Sequence, residues 1–428
     1  MFTMQTYIKT YGCTLNRADS DIMASMIEAA GIGIAASEED ADTIVLNTCT
    51  VKKQTEQKIL YTLDRLVEAG KRVVVTGCMA GANRDMIAKH APDATIVTTS
   101  NTDRIAEALL SIDKGASSAF SDGRRIDKAG LLRPTGSVVA RVPASEGCLS
   151  NCTFCETKLA RGPLNSFPED TIARAVEYCA GSGSKEIEIT SQDLGAYGFD
   201  RKTDIAKLMK RIAEIRGNFK VRIGMLNPEH LHRYVYELIE AMQDGRFYRF
   251  IHIPIQSGSN RVLSDMRRSC SVESFEEYVK ELRKGVSGIS IETDIIVGYP
   301  TESEDDFDMT MEMVRDIKPD ITNISRFGAR PNTAAARLKP LDPETVKRRS
   351  SELSRLVREV QNGINAEYVG KMVNALLTEN GHNSLNGKTD SYKQVVLPEA
   401  AGIALGTSIR AHIYAASANA LYGSVRGI

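Results

Sequence analysis

The strongest constraint on the fold is an alternation of two kinds of segment between about residues 137 and 335. Six apolar, strand-like runs alternate there with stretches that carry apolar residues at helical spacing; the runs are SVVARVPA, KEIEIT, KVRIGML, RFIHIPI, GISIETDIIVG and ITNISRF. This alternation is typical of an α/β fold with a parallel sheet. Because a closed barrel of this type needs about eight repeats, six predict an open (β/α)6 partial barrel, whose open side we interpret as the entrance for a large substrate.

The first 100 residues predict a second parallel sheet with a cysteine at the end of each strand. Three β-rich runs, MQTYIKTYGC, DTIVLNTC and KRVVVTGC, end at Cys13, Cys49 and Cys78, and an amphipathic helical stretch follows each run. The cysteines are 36 and 29 residues apart, close to the roughly 30 residues of one βαβ unit. Since ligands of parallel α/β sheets bind beyond the carboxyl ends of the strands, we expect these thiols to converge on one site.

The chain is long enough for about three domains, at 428 residues. We place a parallel α/β domain at residues 1–110, a linker without sustained periodicity at about 105–135, and the partial-barrel domain at 135–362. The short strand-like runs KMVNALLTE, YKQVVLP, TSIRAHIYAA and LYGSVRG follow, separated by Gly and Asn turns. They predict a small antiparallel β-barrel at 363–428, a fold that often binds oligonucleotides.

Composition excludes some classes of protein. The formal net charge of -1 argues against a uniformly basic nucleic-acid-binding surface, although it leaves room for a local basic patch. No apolar run approaches the roughly 20 residues of a membrane-spanning helix, and the start, MFTMQTYIKTYGC, lacks the apolar centre of a signal peptide. We therefore expect a cytoplasmic protein with no membrane partner, in which clustered cysteines bind metal or act in catalysis.

The most specific local motif is EGCLSNCTFC, which contains Cys148, Cys152 and Cys155 directly after the first strand of the partial barrel. Three thiolates at C-x3-C-x2-C spacing can hold three corners of a cubic iron–sulfur cluster and leave one iron open for chemistry. Barrel active sites lie at the carboxyl ends of strands, where this loop begins. Two alternatives are a structural zinc completed by a distant histidine and a redox pair formed by Cys152 and Cys155.

The chain resembles the radical S-adenosylmethionine methylthiotransferases over nearly its whole length. The resemblance rests on the motifs YGCTLNRADSD, LNTCTV, GCMA, EGCLSNCTFC, TSQDLGAYG, HIPIQSGSNRVL, TDIIVGYPTE and RFGARPNTAA. Within that family, the segments CETKLARGPLNSFP and EITSQDLGAYG are most similar to the archaeal and eukaryotic transfer-RNA branch. The carboxyl-terminal segment is similar to a TRAM domain, which binds RNA.

The resemblance implies two 4Fe-4S clusters. Cys148, Cys152 and Cys155 would hold the radical cluster, whose open iron chelates the amino and carboxylate groups of S-adenosylmethionine, and Cys13, Cys49 and Cys78 would hold an auxiliary cluster. One S-adenosylmethionine would methylate a sulfur on the auxiliary cluster, and another would be cleaved to a 5'-deoxyadenosyl radical. The expected product is the 2-methylthio derivative of N6-threonylcarbamoyladenosine at position 37, next to the tRNA anticodon.

Further contacts are expected where polar or aromatic residues follow the strands of the partial barrel. Expected cofactor contacts are Phe154, Ser191, Asp193, Gln256, Asp294 and Arg326. The carboxylate of Asp193 suits an ammonium group, and the planar fork of Arg326 suits a carboxylate or a phosphate. By family analogy Arg161 would contact the substrate, and Arg330, in a locally basic stretch, would contact RNA.

The implied partners are the tRNA anticodon loop, an electron donor such as ferredoxin or flavodoxin, and a sulfur source. Within the family, isopentenyladenosine in tRNA and a ribosomal-protein aspartate are alternative substrates. A non-catalytic RNA-binding protein with a structural metal is an alternative from another class.

Overall fold

The computed structural model describes residues 4–51, 53–115, 118–133, 136–398 and 402–425. The first part of the chain folds into a six-stranded, fully parallel sheet with the strand order β2-β1-β3-β4-β5-β6. Its strands are β1 (Gln5–Thr10), β2 (Gly33–Ile34), β3 (Thr43–Thr48), β4 (Arg72–Gly77), β5 (Thr95–Val97) and β6 (Ala119–Phe120). The apolar runs IVL and VVV make β3 and β4 the buried centre of the sheet, because helices cover both faces.

Among the described residues, five α-helices accompany this sheet: α1 (Thr14–Ala29), α2 (Lys53–Glu68), α3 (Cys78–Ala82), α4 (Arg84–His90) and α5 (Ile105–Asp113). The short helix α6 (Lys128–Leu131) packs into the core of the partial barrel instead, and both α5 and α6 lie within the predicted linker. The linker prediction is wrong for α5, which buries Ile105, Ala108, Leu109 and Ile112, and for β6, which extends the sheet. The burial of α5 follows the i, i+3, i+4, i+7 spacing of an amphipathic helix.

The middle of the chain forms the predicted partial barrel. Its six parallel strands are β7 (Val139–Pro143), β10 (Glu186–Thr190), β11 (Lys220–Ile223), β12 (Phe250–His252), β13 (Ser290–Val297) and β14 (Ile321–Arg326). They form two three-stranded sheets. Isolated parallel bridges join the two sheets, between Val221 and Phe247 and between Met225 and His252. A short antiparallel pair, β8 (Ser145–Glu146) and β9 (Asn165–Ser166), flanks the cysteine loop.

Helices cover the outside of the partial barrel and leave its interior polar. They are α8 (Glu169–Gly181), α9 (Ile205–Ala213), α10 (Val235–Ala241), α11 (Asn260–Asp265), α12 (Val272–Gly285), α13 (Glu304–Ile317) and α14 (Pro343–Ala366), whereas α7 (Thr157–Arg161) follows the cysteine loop and packs against α3. Along β13, Ile291, Ile295 and Val297 are buried in the main core, whereas Glu292 and Asp294 alternate with them and are half-buried. This period of two separates an outer apolar face from an inner polar one.

The carboxyl-terminal part forms a closed five-stranded barrel with the order β15-β16-β17-β19-β18. Its strands are β15 (Met372–Gly381), β16 (Ser384–Thr389), β17 (Gln394–Pro398), β18 (Ser408–Ala416) and β19 (Leu421–Val425). The strand β16 was not predicted, because its segment SLNGKT holds few β-forming residues. All pairings are antiparallel, as predicted, except the parallel pair β17 and β19.

The small barrel packs against the amino-terminal ends of the partial-barrel strands. The Tyr392 hydroxyl donates to Glu186 Oε1 at 3.1 Å and Glu188 Oε1 at 3.2 Å, and Lys393 Nζ lies 2.7 Å from Asp320 Oδ1. The carboxyl-terminal ends, where barrel active sites lie, therefore stay clear of the small barrel. Among the described residues, no helix has the length and apolar character needed to cross a membrane.

Candidate functional site

Cys13, Cys49 and Cys78, the amino-terminal cysteine site, lie at the carboxyl-terminal edge of the first sheet. Cys13 caps the start of α1, Cys49 follows β3, and Cys78 begins α3 directly after β4. Cys13 Sγ and Cys78 Sγ both lie 3.8 Å from Asn16 Oδ1. Burial raises the pKa of Cys49 to about 12, and charge on either neighbouring thiol adds to this rise. The predicted convergence of the three thiols is thus present in the structure.

Two glycines make this convergence possible. Gly12 and Gly77, which precede Cys13 and Cys78, have φ of +108° and +84°. A Cβ at Gly12 would lie 2.8 Å from Cys49 Cβ, and a Cβ at Gly77 would lie 2.3 Å from the Thr48 carbonyl oxygen. Since both the backbone conformation and the close approach require glycine, the strand ends can meet only with these residues.

Arg161 joins the amino-terminal cysteine site to the partial barrel. Its fully buried guanidinium donates from Nε to Cys78 Sγ at 3.4 Å and from Nη2 to Asn16 Oδ1 at 2.6 Å and Asp19 Oδ2 at 2.8 Å. Nη1 donates to Glu146 Oε1 at 3.0 Å. The expected substrate contact of Arg161 stays a prediction, whereas its contacts in the structure are with this cysteine site.

Lys128 completes this buried charge network, which consists of Asn16, Asp19, Lys128, Glu146 and Arg161. Its Nζ lies 2.8 Å from Asp19 Oδ1 and 2.9 Å from Glu146 Oε1, and its side chain is fully buried. Burial alone would raise the pKa of Asp19, but the charges of Arg161 and Lys128 outweigh burial and lower it. The network therefore contains two cations and two carboxylates, which balance each other.

Cys148, Cys152 and Cys155, the loop cysteine site, lie beyond β7 and β8 and are all partly exposed. Burial raises the pKa of Cys148 to about 12, and the nearby Asp193 adds to this effect. Burial also raises the pKa of Cys152, although Arg268, whose Nη1 lies 3.7 Å from Cys152 Sγ, opposes the rise. Metal binding at such thiols releases their protons, since the thiolate is the ligand.

Hydrogen bonds from several elements hold the loop cysteine site in place. The Thr153 hydroxyl pairs with the Tyr299 hydroxyl at 2.8 Å, and the Thr153 backbone amide donates to the Met266 carbonyl at 3.1 Å. Gln192 Oε1 accepts from the Gly147 amide at 2.8 Å, and Ser150 donates to Glu229. Contacts within the protein therefore hold the loop in position, as a catalytic site requires.

The rim of the partial barrel, by which we mean the carboxyl-terminal edge of its strands, carries the charged pair Asp193 and His230. Of these two residues, only Asp193 was predicted. Asp193 Oδ1 accepts from the amides of Gly195 and Asn227 at 2.8 and 2.9 Å, while Oδ2 lies 3.5 Å from His230 Nε2. Burial lowers the pKa of His230, but hydrogen bonds to Asp193 and Glu229 outweigh it and raise the pKa to about 9. His230 and Arg268 were not predicted, because their contacts with Asp193 and Cys152 join residues that are distant in sequence.

The other expected cofactor contacts are spread over this rim and the barrel interior. Phe154 packs on the apolar cluster that contains Tyr299, and Gln256 holds a strained φ of +82° beyond β12. Arg326 is exposed at the end of β14, and Ser191, directly after β10, is half-buried. Strain and rim position are typical of binding sites.

Arg330 is paired within the protein. Its Nη1 donates to Glu56 Oε2 at 2.6 Å, and the pair is largely buried between α2 and the loop after β14. The expected RNA contact of Arg330 stays a prediction. In the structure Arg330 instead links the amino-terminal sheet to the partial barrel.

Asp294 lies within β13 and faces the barrel interior, whereas a position near the strand's carboxyl end was expected. His252 Nε2 is 3.1 Å from Asp294 Oδ1, and Asn323 Nδ2 donates to Asp294 at 2.9 Å and to Glu292 at 2.7 Å. His252, Glu292 and Asp294 are the only described His, Cys, Asp or Glu triad whose ligand atoms all lie within 4.8 Å of one another. Because the Asn323 amide donates to both carboxylates, this group is a hydrogen-bonded polar lining.

Both cysteine sites fit iron–sulfur ligation. In each site the charge of one thiol acts on another, so three sulfurs lie together, as the three protein-held corners of a cubic iron–sulfur cluster require. Backbone amides also donate to sulfur, from Val51 to Cys49 and from Thr157 to Cys155, each at 3.4 Å, as hydrogen bonds do around such clusters.

The rim also offers polar atoms suited to a zwitterionic cofactor. Ser191 Oγ and Arg268 Nε are buried and have no hydrogen-bond partner within the described residues. A buried polar atom without a partner is costly, so a ligand that supplies one is stabilised there. The donor Arg268 suits a carboxylate, and the hydroxyl of Ser191 suits either an amino group or a carboxylate.

Comparison with known proteins matches two parts of the chain to family models. Residues 5–99 match a model described as an uncharacterized protein family, UPF0004, and residues 142–314 match the radical SAM superfamily. A similar fold is found in the radical S-adenosylmethionine methyltransferase TsrM from Kitasatospora setae, whose structure was solved with cobalamin and a [4Fe-4S] cluster. The two structures match with a TM-score of 0.55 and 13% sequence identity, over 78% of this chain and 77% of TsrM.

Curated relatives cover most of the chain. A probable threonylcarbamoyladenosine tRNA methylthiotransferase of Pyrococcus abyssi is 40% identical over 92% of this chain and 94% of its own length. The threonylcarbamoyladenosine tRNA methylthiotransferase of Drosophila melanogaster is 34% identical over 99% of this chain and 78% of its own length. The similarity thus extends across all parts of the fold described above.

Proposed function

Because the chain belongs to the family of threonylcarbamoyladenosine tRNA methylthiotransferases, we propose that it attaches a methylthio group to C2 of N6-threonylcarbamoyladenosine-37 in tRNA. The observation that carries the proposal is the pair of three-cysteine sites. Arg161 donates to Cys78 of one site and ends the short helix that follows Cys155 of the other. One site alone would serve many radical enzymes, whereas two sites connected in this way suit a reaction that needs both a radical and a sulfur donor.

Each cysteine site has its own task in this proposal, radical formation at one and sulfur donation at the other. Cys148, Cys152 and Cys155 would hold the 4Fe-4S cluster that binds S-adenosylmethionine, and Cys13, Cys49 and Cys78 would hold a second 4Fe-4S cluster. When bound, these groups supply reductive cleavage of S-adenosylmethionine and a transferable sulfur. Radical chemistry suits the target, because the C2–H bond of adenine offers no acidic proton to a general base.

The rim residues orient the cofactor in this proposal. Asp193 and Ser191 would receive the amino group, Arg268 the carboxylate, and Phe154, Gln256, Asp294 and Arg326 would line the rest of the pocket. Support comes from the unpartnered buried atoms of Ser191 and Arg268 and from the strained backbone of Gln256. Asp193 is held in place by two backbone amides, so it can face a ligand without reorganising.

The partners follow from the domains assigned to residues 1–110, 135–362 and 363–428. We assign the anticodon loop to the open side of the partial barrel and further tRNA contacts to the small carboxyl-terminal barrel, as in a TRAM domain. An external donor such as ferredoxin or flavodoxin would supply electrons, because reductive cleavage needs a cluster of low potential. A separate sulfur source would reload the second cluster after each turnover.

Nucleoside analysis of tRNA tests the proposed substrate. A strain that lacks the gene should lose 2-methylthio-N6-threonylcarbamoyladenosine and accumulate the unmodified N6-threonylcarbamoyladenosine. The intact gene should restore the product, and a Cys148→Ala copy should not. If this product persisted in the deletion strain while a methylthio-isopentenyladenosine or a methylthio-aspartate disappeared, the substrate assignment would be wrong.

Iron content separates this enzyme from an RNA-binding protein with a structural metal. Anaerobically reconstituted protein should carry about eight irons per chain, as two four-iron clusters require. It should also release 5'-deoxyadenosine when reduced in the presence of S-adenosylmethionine. Bound zinc without that product would favour the non-catalytic alternative.

A further inference from the structure

The contacts of Arg161 leave little room for a direct substrate contact. Its side chain is fully buried, and all three of its guanidinium nitrogens contact protein atoms. It ends α7 (Thr157–Arg161), the helix that follows the last loop cysteine, Cys155, by two residues. A single short helix therefore connects a ligand of one cysteine site to a hydrogen-bond donor of the other.

The charges around Arg161 indicate what it does there. Asn16, Asp19 and Cys78 come from the amino-terminal part of the chain, whereas Lys128, Glu146 and Arg161 come from later segments. The charges of Lys128 and Arg161 balance those of Asp19 and Glu146. A thiolate at Cys78 would add one more negative charge, and Arg161 is the only described cation that contacts its sulfur directly. Without Arg161, the two carboxylates would outnumber the cations beside that sulfur.

We propose that Arg161 is a positioning residue that fixes the Cys78 corner of the second cluster to the helix after the radical-cluster loop and raises that cluster's reduction potential. The inference rests on the proposed function, because it requires a cluster at Cys13, Cys49 and Cys78. A hydrogen bond to a ligating sulfur and a nearby positive charge both stabilise the reduced, more negative cluster.

Redox titration of the second cluster alone tests this inference. Full-length protein with Cys148, Cys152 and Cys155 changed to Ala is reconstituted anaerobically with iron and sulfide, and the reduced cluster is followed by electron paramagnetic resonance against applied potential. In this background Arg161→Gln should shift the midpoint to a more negative potential. Arg161→Lys keeps the charge but not the planar fork, so it should give a smaller shift in the same direction.

Arg349 provides a matched control. It is also buried and paired with two carboxylates, Glu302 and Glu304, but it lies on α14, and none of its described contacts is with cysteine. Arg349→Gln should leave the midpoint unchanged. Loss of iron from Arg161→Gln but not from Arg349→Gln would also support the inference, whereas equal iron loss from both would contradict a specific role.

The outcomes separate this inference from the proposed function. A normal iron content with an unchanged midpoint in Arg161→Gln would overturn the role of Arg161 and leave the enzyme assignment intact. A background protein that holds none of the expected four or so irons would remove the second cluster, and both proposals with it. Neither measurement depends on tRNA or on turnover.

Discussion

At the scale of single residues, we predict that substituting one cysteine separates two activities, the release of 5'-deoxyadenosine and methylthio transfer. Cys49 belongs only to the amino-terminal site, where it is buried behind β3. Cys49→Ala should abolish methylthio transfer but leave the release of 5'-deoxyadenosine unchanged, because the loop cysteine site keeps all its ligands. Anaerobic assays of both products on the same reconstituted sample provide the measurement.

Cys179 is a suitable control for this variant. It lies in α8, is buried in the main core and has no cysteine neighbour among its described contacts, so Cys179→Ala should retain both activities. Equal loss of both products in Cys49→Ala would contradict the division of labour between the two sites.

The raised pKa of His230 predicts that the free energy of unfolding depends on pH. Its pKa is raised to about 9 in the folded protein, above the ordinary value of 6.5, because hydrogen bonds to Asp193 and Glu229 outweigh burial. Its contribution to the free energy of unfolding is therefore full below about pH 6.5 and is lost as the pH rises towards 9. Denaturant titrations at pH 6.5, 8 and 9.5 should show this loss in the native sequence and a flatter profile in His230→Gln; identical profiles would refute it.

The sequence located the cysteines but not the charges around them. Each amino-terminal cysteine ends a strand-like run, so the edge of a parallel sheet brings the three together. Lys128 and Asp19, by contrast, are 109 residues apart, and Lys128 comes from a segment that resembled a linker. A buried ion pair depends on tertiary packing and leaves no periodic signal in the sequence.

At the scale of elements, periodicity predicted the strands of the partial barrel and missed elements whose signal is weak. All six strand-like runs contain strands of the structure. The strand β6 has only two residues and β16 has few β-forming ones, so neither shows a clear period of two. The contact between α3 and α7 was also beyond prediction, because a packing contact between two five-residue helices depends on the whole fold.

This contact depends on Gly81. A Cβ at Gly81 would lie 2.5 Å from the carbonyl oxygen of Ala160, so Gly81→Ala must push α3 away from α7. We expect a loss of about 1–3 kcal/mol in the free energy of unfolding, the usual cost of overpacking, together with weaker iron retention at the amino-terminal site. Chemical denaturation and iron analysis of the reconstituted protein measure the two effects.

Gly363 provides the comparison within a helix. It lies inside α14, where an added Cβ would meet no neighbouring group of the described residues within 4 Å. Gly363→Ala should therefore stabilise the protein by about 0.5–1 kcal/mol through helix propensity. Similar effects of the two substitutions would show that Gly81 acts only through its helix and not through its contact with Ala160.

At the scale of the whole molecule, the small barrel and the cysteine sites lie at opposite ends of the partial barrel. Tyr392 packs on Tyr248 and Phe250, and its hydroxyl reaches Glu186 and Glu188 at the start of β10. Lys393 and Asp390 add ion pairs to Asp320 and Lys220. The barrel therefore closes the amino-terminal end of the strands and is held in one orientation relative to the distant rim.

Tyr392→Ala should detach the small barrel without disturbing the clusters. Removing the buried ring costs about 3–5 kcal/mol, and it also removes one donor from each glutamate, although Glu186 keeps Tyr248 and Glu188 keeps Arg141. Thermal unfolding should then split into two transitions, while the iron content stays normal because both cysteine sites are remote from this interface. Tyr414→Ala, at an exposed position of β18, should keep one transition. Loss of iron from Tyr392→Ala would mean that the interface supports the cysteine sites, contrary to the separation seen in the structure.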